Sequence, residues 1–268
     1  MGFIQYEAKD RIAVITLDRP ESGNAQHPPL LRELDAAFDR AAEDDSIRVI
    51  VVKANGKHFS TGHDISPESA PLWAEVKLAE GGLEALYRWE RKHYLGFTRK
   101  WRDIPKPTIA AVQGACVGGG LMLCWPCDLI VASDDAWFSD PVVRMGIGGV
   151  EYHGHTWELG ARKAKELLFT GGRLKAEQAL ALGMVNQVVS RDKLVEATMD
   201  LASRIAQMHP YALSQAKRAV NQTLDIMGFY SSLQSVFDIH ALGHGNALSA
   251  TRGEAAVLMD LEGMKKAV

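Results

Sequence analysis

The segment running from Ile104 to Gly149 constrains this chain more than any other. It sets a short apolar run, TIAAV at residues 108–112, directly before Gly114-Ala-Cys-Val-Gly118-Gly119-Gly120, and a second apolar run follows at residues 129–132. Such an order reads as a buried strand that delivers the chain through a tight turn to a helix N-terminus. The first backbone N–H groups of a helix have no partner inside it, so they face whatever lies beyond. Three adjacent glycines also let a ligand approach the backbone closely, because no Cβ intervenes. Donors fixed where negative charge develops are often the largest catalytic contribution a site makes. The chemistry is therefore expected at this turn.

Residues 12–17 and 47–53 read as strands, the second so rich in β-branched side chains that burial on both faces is expected. Between them, residues 30–44 place apolar side chains at helical spacing, which makes strand, helix and strand a parallel crossover. The turn-rich stretch 54–65 reads as a strand-end loop of the ligand-binding kind. Residues 67–102 read as mainly helical with aromatic core positions, and 136–149 as loop. Helices are expected at 159–169, 176–182 and 191–207, with a short strand at 184–189. From Pro210 the pattern is helical to the end, punctuated at Gly228 and at Gly243-His-Gly245.

Composition narrows the function classes. A net charge of -3 gives no bulk reason to expect nucleic acid or an anionic membrane as partner. No apolar run approaches the roughly 20 residues of a membrane span, and the N-terminal MGFIQYEAKDR lacks a signal-peptide apolar region, so a soluble cytoplasmic protein is expected. The three cysteines all fall within the central stretch and do not suggest a disulfide framework. Cys124-Trp-Pro-Cys127 has the spacing of a redox pair but lies in an apolar run, and it reads as core.

Taken in order, several motifs carry a resemblance: LDRPESGNA at 17–25, HFSTGHDI at 58–65, PKPTIAAVQG at 105–114, Gly118-Gly119-Gly120, CDLIVAS at 127–133, LLFTG at 167–171, and residues 179–185. Together they resemble the crotonase superfamily, which includes enoyl-CoA hydratases and isomerases, over about residues 3–222. The resemblance implies an α/β fold: a crotonase-like spiral of ββα units over residues 1–205, with a helical C-terminal segment, 206–268, used to assemble a homotrimer or homohexamer. It implies an acyl-CoA substrate, with coenzyme A entering as part of the thioester, no separate cofactor and no metal. Position by position, the backbone N–H groups of His63 and Gly119 correspond to an oxyanion hole that stabilises a thioester enolate. The loop of Ser22, Asn24 and Ala25, and the stretch of His63, Asp64 and Ile65, correspond to segments that hold the nucleotide half of CoA. Lys217 reads as a solvated helix-face residue.

The chain departs from the pattern where the hydratases carry two glutamates: those positions are Met122 and Val142, and neither can move a proton. Asp140, Glu151 and the His63 side chain are the nearest candidates to replace them. Glu151, His153 and His155 also offer three potential ligands within five residues, but they read as a polar pocket wall rather than a metal centre. The expected function is enoyl-CoA hydratase/isomerase-like processing of an acyl-CoA without the usual glutamates. Its alternatives are another crotonase-type reaction (C–C cleavage, hydrolysis or dehalogenation) and non-catalytic acyl-CoA binding.

Overall fold

The computed structural model describes residues 2–259. The chain begins with a hairpin, β1 (Ile4–Lys9) antiparallel to β2 (Ile12–Leu17). Asp10 and Arg11 form its turn, both at positive φ, as a two-residue hairpin loop that follows the right-handed strand twist requires. Sequence pattern gives no sign of β1, because it is an edge strand with mostly exposed side chains and no apolar run.

Helix α1 (Pro28–Glu43) follows. The His27 ring caps it by accepting from Leu30 N–H at 3.1 Å, and prolines occupy its first positions, where no N–H is needed. Then come β3 (Val49–Ala54), α2 (Leu78–Glu90), a π-helical turn at Arg91–Gly96 and α3 (Phe97–Asp103). The central stretch supplies β4 (Thr108–Val112), β5 (Ala115–Val117), the short α4 (Leu121–Cys124), β6 (Leu129–Ser133) and β7 (Trp137–Ser139). The remainder is α5 (His155–Thr170), β8 (Leu174–Lys175), α6 (Ala176–Leu182), β9 (Gln187–Val189), α7 (Leu194–Ala206), α8 (Pro210–Ile226) and α9 (Phe229–Ala250).

Six strands form one sheet in the order β1-β2-β3-β4-β6-β9, parallel from β2 onward. Alternation along the buried strands divides the core. Ile50, Val52, Ala110 and Val112 face α1 and the larger cluster, whereas Val49, Val51, Ile109 and Ala111 pack under α7 against Leu194, Ala202 and Ala206. The smaller sheet, β5-β7-β8, stands beside it. Cys116 and Cys124 are buried, with sulfurs 3.6 Å apart, and burial pushes the Cys124 thiol well up, which is the behaviour of core residues.

Three expectations are corrected. Residues 137–139 are a strand rather than loop, since β7 pairs with β5 and β8. Gly243 and Gly245 do not interrupt α9, which is continuous. A Cβ at Gly243 would lie 2.9 Å from the carbonyl oxygen of Gly146, so this glycine lets α9 press onto the loop after β7 instead of ending the helix. In the C-terminal segment 206–268, expected to be helical to the end, helix stops at Ala250, residues 251–259 form turns and bends, and 260–268 lie outside the described residues. Its helix α9 also packs on α2 and walls the cavity described next.

Candidate functional site

Three backbone segments stack in layers beneath a cavity, and the one at residues 63–66 reaches its lining. Gln26 N–H donates to Gly62 O and Asp64 N–H to Gln26 O, both at 2.7 Å, which lays residues 24–26 along residues 62–64. Ser60 pairs in the same way with β5: its N–H donates to Ala115 O at 3.2 Å and its carbonyl accepts Val117 N–H at 3.0 Å. At the end of this layer Gly62 takes φ +96°, and a Cβ there would lie 2.8 Å from Val117 O and 3.3 Å from Gly119 N. A bare glycine with that φ therefore brings the backbone at His63 against the backbone at Gly119. Gly119 sits in the first turn of the 3-10 segment Gly118–Gly120, where an N–H has no acceptor within the helix.

The His63 imidazole folds over this junction. A Cβ at Gly119 would lie 2.5 Å from its Cε1 and 2.8 Å from its Nδ1. The ring also stacks on Tyr94, carried by the π-helical turn, with centroids 4.1 Å apart. Its Nε2 reaches Glu151 Oε2 at 3.2 Å. Glu151 enters from the loop between β7 and α5, and its other oxygen lies 3.5 Å from His240 Nε2. Glu90, the last residue of α2, lies 3.5 Å from His240 Nε2 and 3.3 Å from His244 Nε2. Two elements remote in sequence, α2 and α9, thus add Glu90, His240 and His244 to the residues around the glycine turn.

These groups bound a cavity of about 380 Å³ whose remaining wall is mostly apolar, including Trp73, Val76, Leu86, Val142, Met145 and Ile147 beside Asp64, Ser66 and Ser69. Charge in so apolar a space is set by neighbours. Burial works against ionised Glu151 and Glu90, yet the adjacent histidines outweigh it and hold both carboxyls below the usual range. Burial likewise opposes charge on His240, but Glu151 and Glu90 carry its imidazole up to about 9. Burial, reinforced by the charges on Glu151 and Glu90, pushes the Tyr94 phenol well above its ordinary value.

Of the residues expected at the site, His63, Asp64, Ile65 and Glu151 line the cavity, and Gly119 lies under the His63 ring. The Asp64 carboxylate is engaged with Arg19 and Ser66, so it braces the loop. Asp140 is a correction. It is fully buried away from the cavity wall, where it accepts Val150 N–H at 2.9 Å and lies 2.9 Å from His155 Nε2. The carboxylate after β7 thereby shapes the loop that presents Glu151. The expected grouping of Glu151, His153 and His155 separates: the two histidine rings lie 4.2 Å apart beside Asp140, while Glu151 turns the other way, into the cavity. Ser22, Asn24 and Ala25 lie one layer back. Asn24, at positive φ, donates to Asn55 O and His58 O and accepts from Arg19 N–H, pinning the loop. Lys217 is not solvated, being buried on Asp128 at 2.9 Å. Met122 is core, and Val142 is cavity wall. Sequence reading missed Glu90, Tyr94, His240 and His244; the one available signal was the i, i+4 spacing of the two histidines on a helix.

The sequence model of the enoyl-CoA hydratase/isomerase family matches residues 7–239. A Mycobacterium tuberculosis relative whose name places it among the enoyl-CoA hydratases, EchA13, is 45% identical over 94% of this chain and 84% of its own. Two crystal structures, each described as a probable enoyl-CoA hydratase, superpose with a TM-score of 0.90 over 96% of this chain. The Mycobacterium smegmatis one is 61% identical with 100% of its chain covered, and the Mycobacterium thermoresistibile one 59% identical with 99% covered. By the extent of these matches the chain belongs to the enoyl-CoA hydratase/isomerase family, with the crotonase fold.

Proposed function

We propose that this chain is an acyl-CoA-processing enzyme in which the backbone N–H groups of His63 and Gly119 receive the thioester oxygen and Glu151 moves the proton. The observation that carries this reading is the placement of the Glu151 carboxylate in the cavity, 3.2 Å from an imidazole that itself lies on Gly119. A thioester drawn into the hole would set its α and β carbons against an apolar wall beside the one acid group that also touches the His63 ring. On an enoyl-CoA, Glu151 would take a proton from water as the oxygen adds to the β carbon. The electron pair would pass into an enolate held by the two N–H groups, and protonation at the α carbon would complete hydration. Ser22, Asn24, Ala25, Asp64 and Ile65 lie on the layers leading to the floor, consistent with a CoA-binding edge. Exposed apolar side chains on α8 and α9, among them Ile226 and Leu242, fit assembly into a homotrimer or homohexamer.

Val142 in the cavity wall and Met122 in the core, where hydratases are expected to carry glutamates, favour a second reading: a different crotonase-type reaction on an unusual CoA ester. Both readings are tested by incubating the protein with crotonyl-CoA and with longer and aromatic CoA esters, following enoyl absorbance and identifying products by mass. The expected result is turnover that Glu151→Gln lowers roughly 10²–10⁴-fold while CoA-ester binding persists. Release of free CoA thiol would select the second reading. Wild-type binding without any turnover, or unchanged turnover in Glu151→Gln, would overturn the assignment.

A further inference from the structure

His240 and His244 each direct Nδ1 at a backbone carbonyl, of Gly149 and Ala256 respectively, at 2.7 Å. A carbonyl only accepts, so both Nδ1 atoms carry hydrogen and each neutral ring presents a lone pair at Nε2. Those two Nε2 atoms face one another at 3.1 Å, with Glu90 oxygens 3.3 and 3.5 Å away. All three side chains are buried, and Glu90 Oε2 makes no hydrogen bond. With both rings neutral, two lone pairs and a carboxylate converge without a donor.

Protons resolve this arrangement poorly. One proton, on either ring, leaves the remaining acceptors uncompensated. Protonating both rings would point two N–H donors at each other across 3.1 Å. A divalent ion satisfies all three groups together. Tetrahedral zinc with bonds of about 2.0–2.1 Å places its ligand atoms about 3.3 Å apart; the two Nε2 atoms stand 3.1 Å apart, each with a different Glu90 oxygen at 3.3 or 3.5 Å, and one ligand atom from each residue lies within 4.8 Å of the others. A histidine that donates Nδ1–H to a backbone carbonyl is also the arrangement that fixes the metal-binding tautomer.

We propose that Glu90, His240 and His244 form a binding site for a divalent first-row transition ion of the zinc type. All three residues line the cavity, so the ion's fourth position is open to water or a ligand oxygen there. The two histidines sit on successive turns of α9 and the glutamate ends α2, so the ion would also fasten the C-terminal helix to the body. Ion binding is separable from the acyl-CoA reading, since it is measured without any CoA ester.

The test uses chelator-treated full-length protein without a histidine tag, titrated with Zn²⁺ alone by calorimetry and with Co²⁺ followed through its visible ligand-field absorption. The expected result is saturation at one ion per chain and a rise in melting temperature with Zn²⁺. His244→Ala and Glu90→Gln should each weaken binding by more than the roughly 10–100-fold cost of losing an outer-shell partner, and His153→Ala should leave it unchanged. Should His244→Ala fail to fold, the near-isosteric Glu90→Gln carries the decision alone. Absence of stoichiometric binding by folded wild type, or binding that survives Glu90→Gln, would overturn the site.

Discussion

Replacing Gly119 by alanine isolates one contact at the centre of the site. The new Cβ would lie 2.5 Å from His63 Cε1, 2.8 Å from Nδ1 and 3.0 Å from Nε2, all inside van der Waals contact. Gly119 is not at positive φ, so the substitution adds no backbone strain. The imidazole cannot retreat freely, because Tyr94 stacks on it and Glu151 holds its Nε2. Overpacking of this kind costs about 1–3 kcal/mol, or a melting-temperature loss of roughly 2–12 °C for a domain of this size. In a His63→Ala background the obstructing ring is gone and the same substitution should be nearly free, a coupling that a double-mutant cycle reads directly. Gly118→Ala is the control. Gly118 has φ +53° and only Val142 Cγ1 within 4 Å, at 3.9 Å, so its cost is conformational and should be the same in both backgrounds. If Gly119→Ala cost the same with and without the ring, the placement of His63 over Gly119 would be refuted. Turnover offers a second readout, since displacing a donor from an oxyanion hole costs roughly 10²–10³ in rate.

Other residues give independent checks. Burial raises the Glu158 carboxyl from 4.5 to about 7, so the folded chain keeps this proton while the unfolded chain releases it. Its contribution to stability therefore falls as pH rises between those values, and Glu158→Gln should raise the melting temperature above pH 7 with no gain at pH 4; a gain equal at both would contradict this. Asp140→Ala leaves the buried Val150 N–H without its acceptor and should cost about 1–3 kcal/mol in urea unfolding. Gly243→Ala sets a Cβ 2.9 Å from Gly146 O and 3.1 Å from Ile147 Cα. Both are backbone atoms that cannot swing aside, so chemical denaturation should show a clear loss of stability despite alanine's better helix propensity; unchanged stability would mean that α9 does not press on this loop.

The sequence by itself determined the parallel sheet, the crossover helices and the glycine turn. β-Branched runs such as IVV at 50–52, the apolar spacing of α1 and the Gly118–Gly120 cluster act through rules that span only a few residues. The order of its motifs further indicated the family and pointed to His63 and Gly119, with Glu151 offered only beside Asp140. What tertiary structure alone decided was which polar side chains meet. Asp140 and Glu151 are near neighbours in the chain with the same chemistry, yet the fold of the loop between β7 and α5 turns one onto Val150 and His155 and the other into the cavity. Glu90 lay inside a stretch that reads as aromatic helix, and His240 and His244 inside one that reads as C-terminal helix. Nothing local joins them, because their meeting depends on α9 packing against α2 across about 150 residues of intervening chain. Secondary structure is written in short-range periodicity, whereas a cavity lined by residues 63, 90, 151, 240 and 244 exists only once the core has closed.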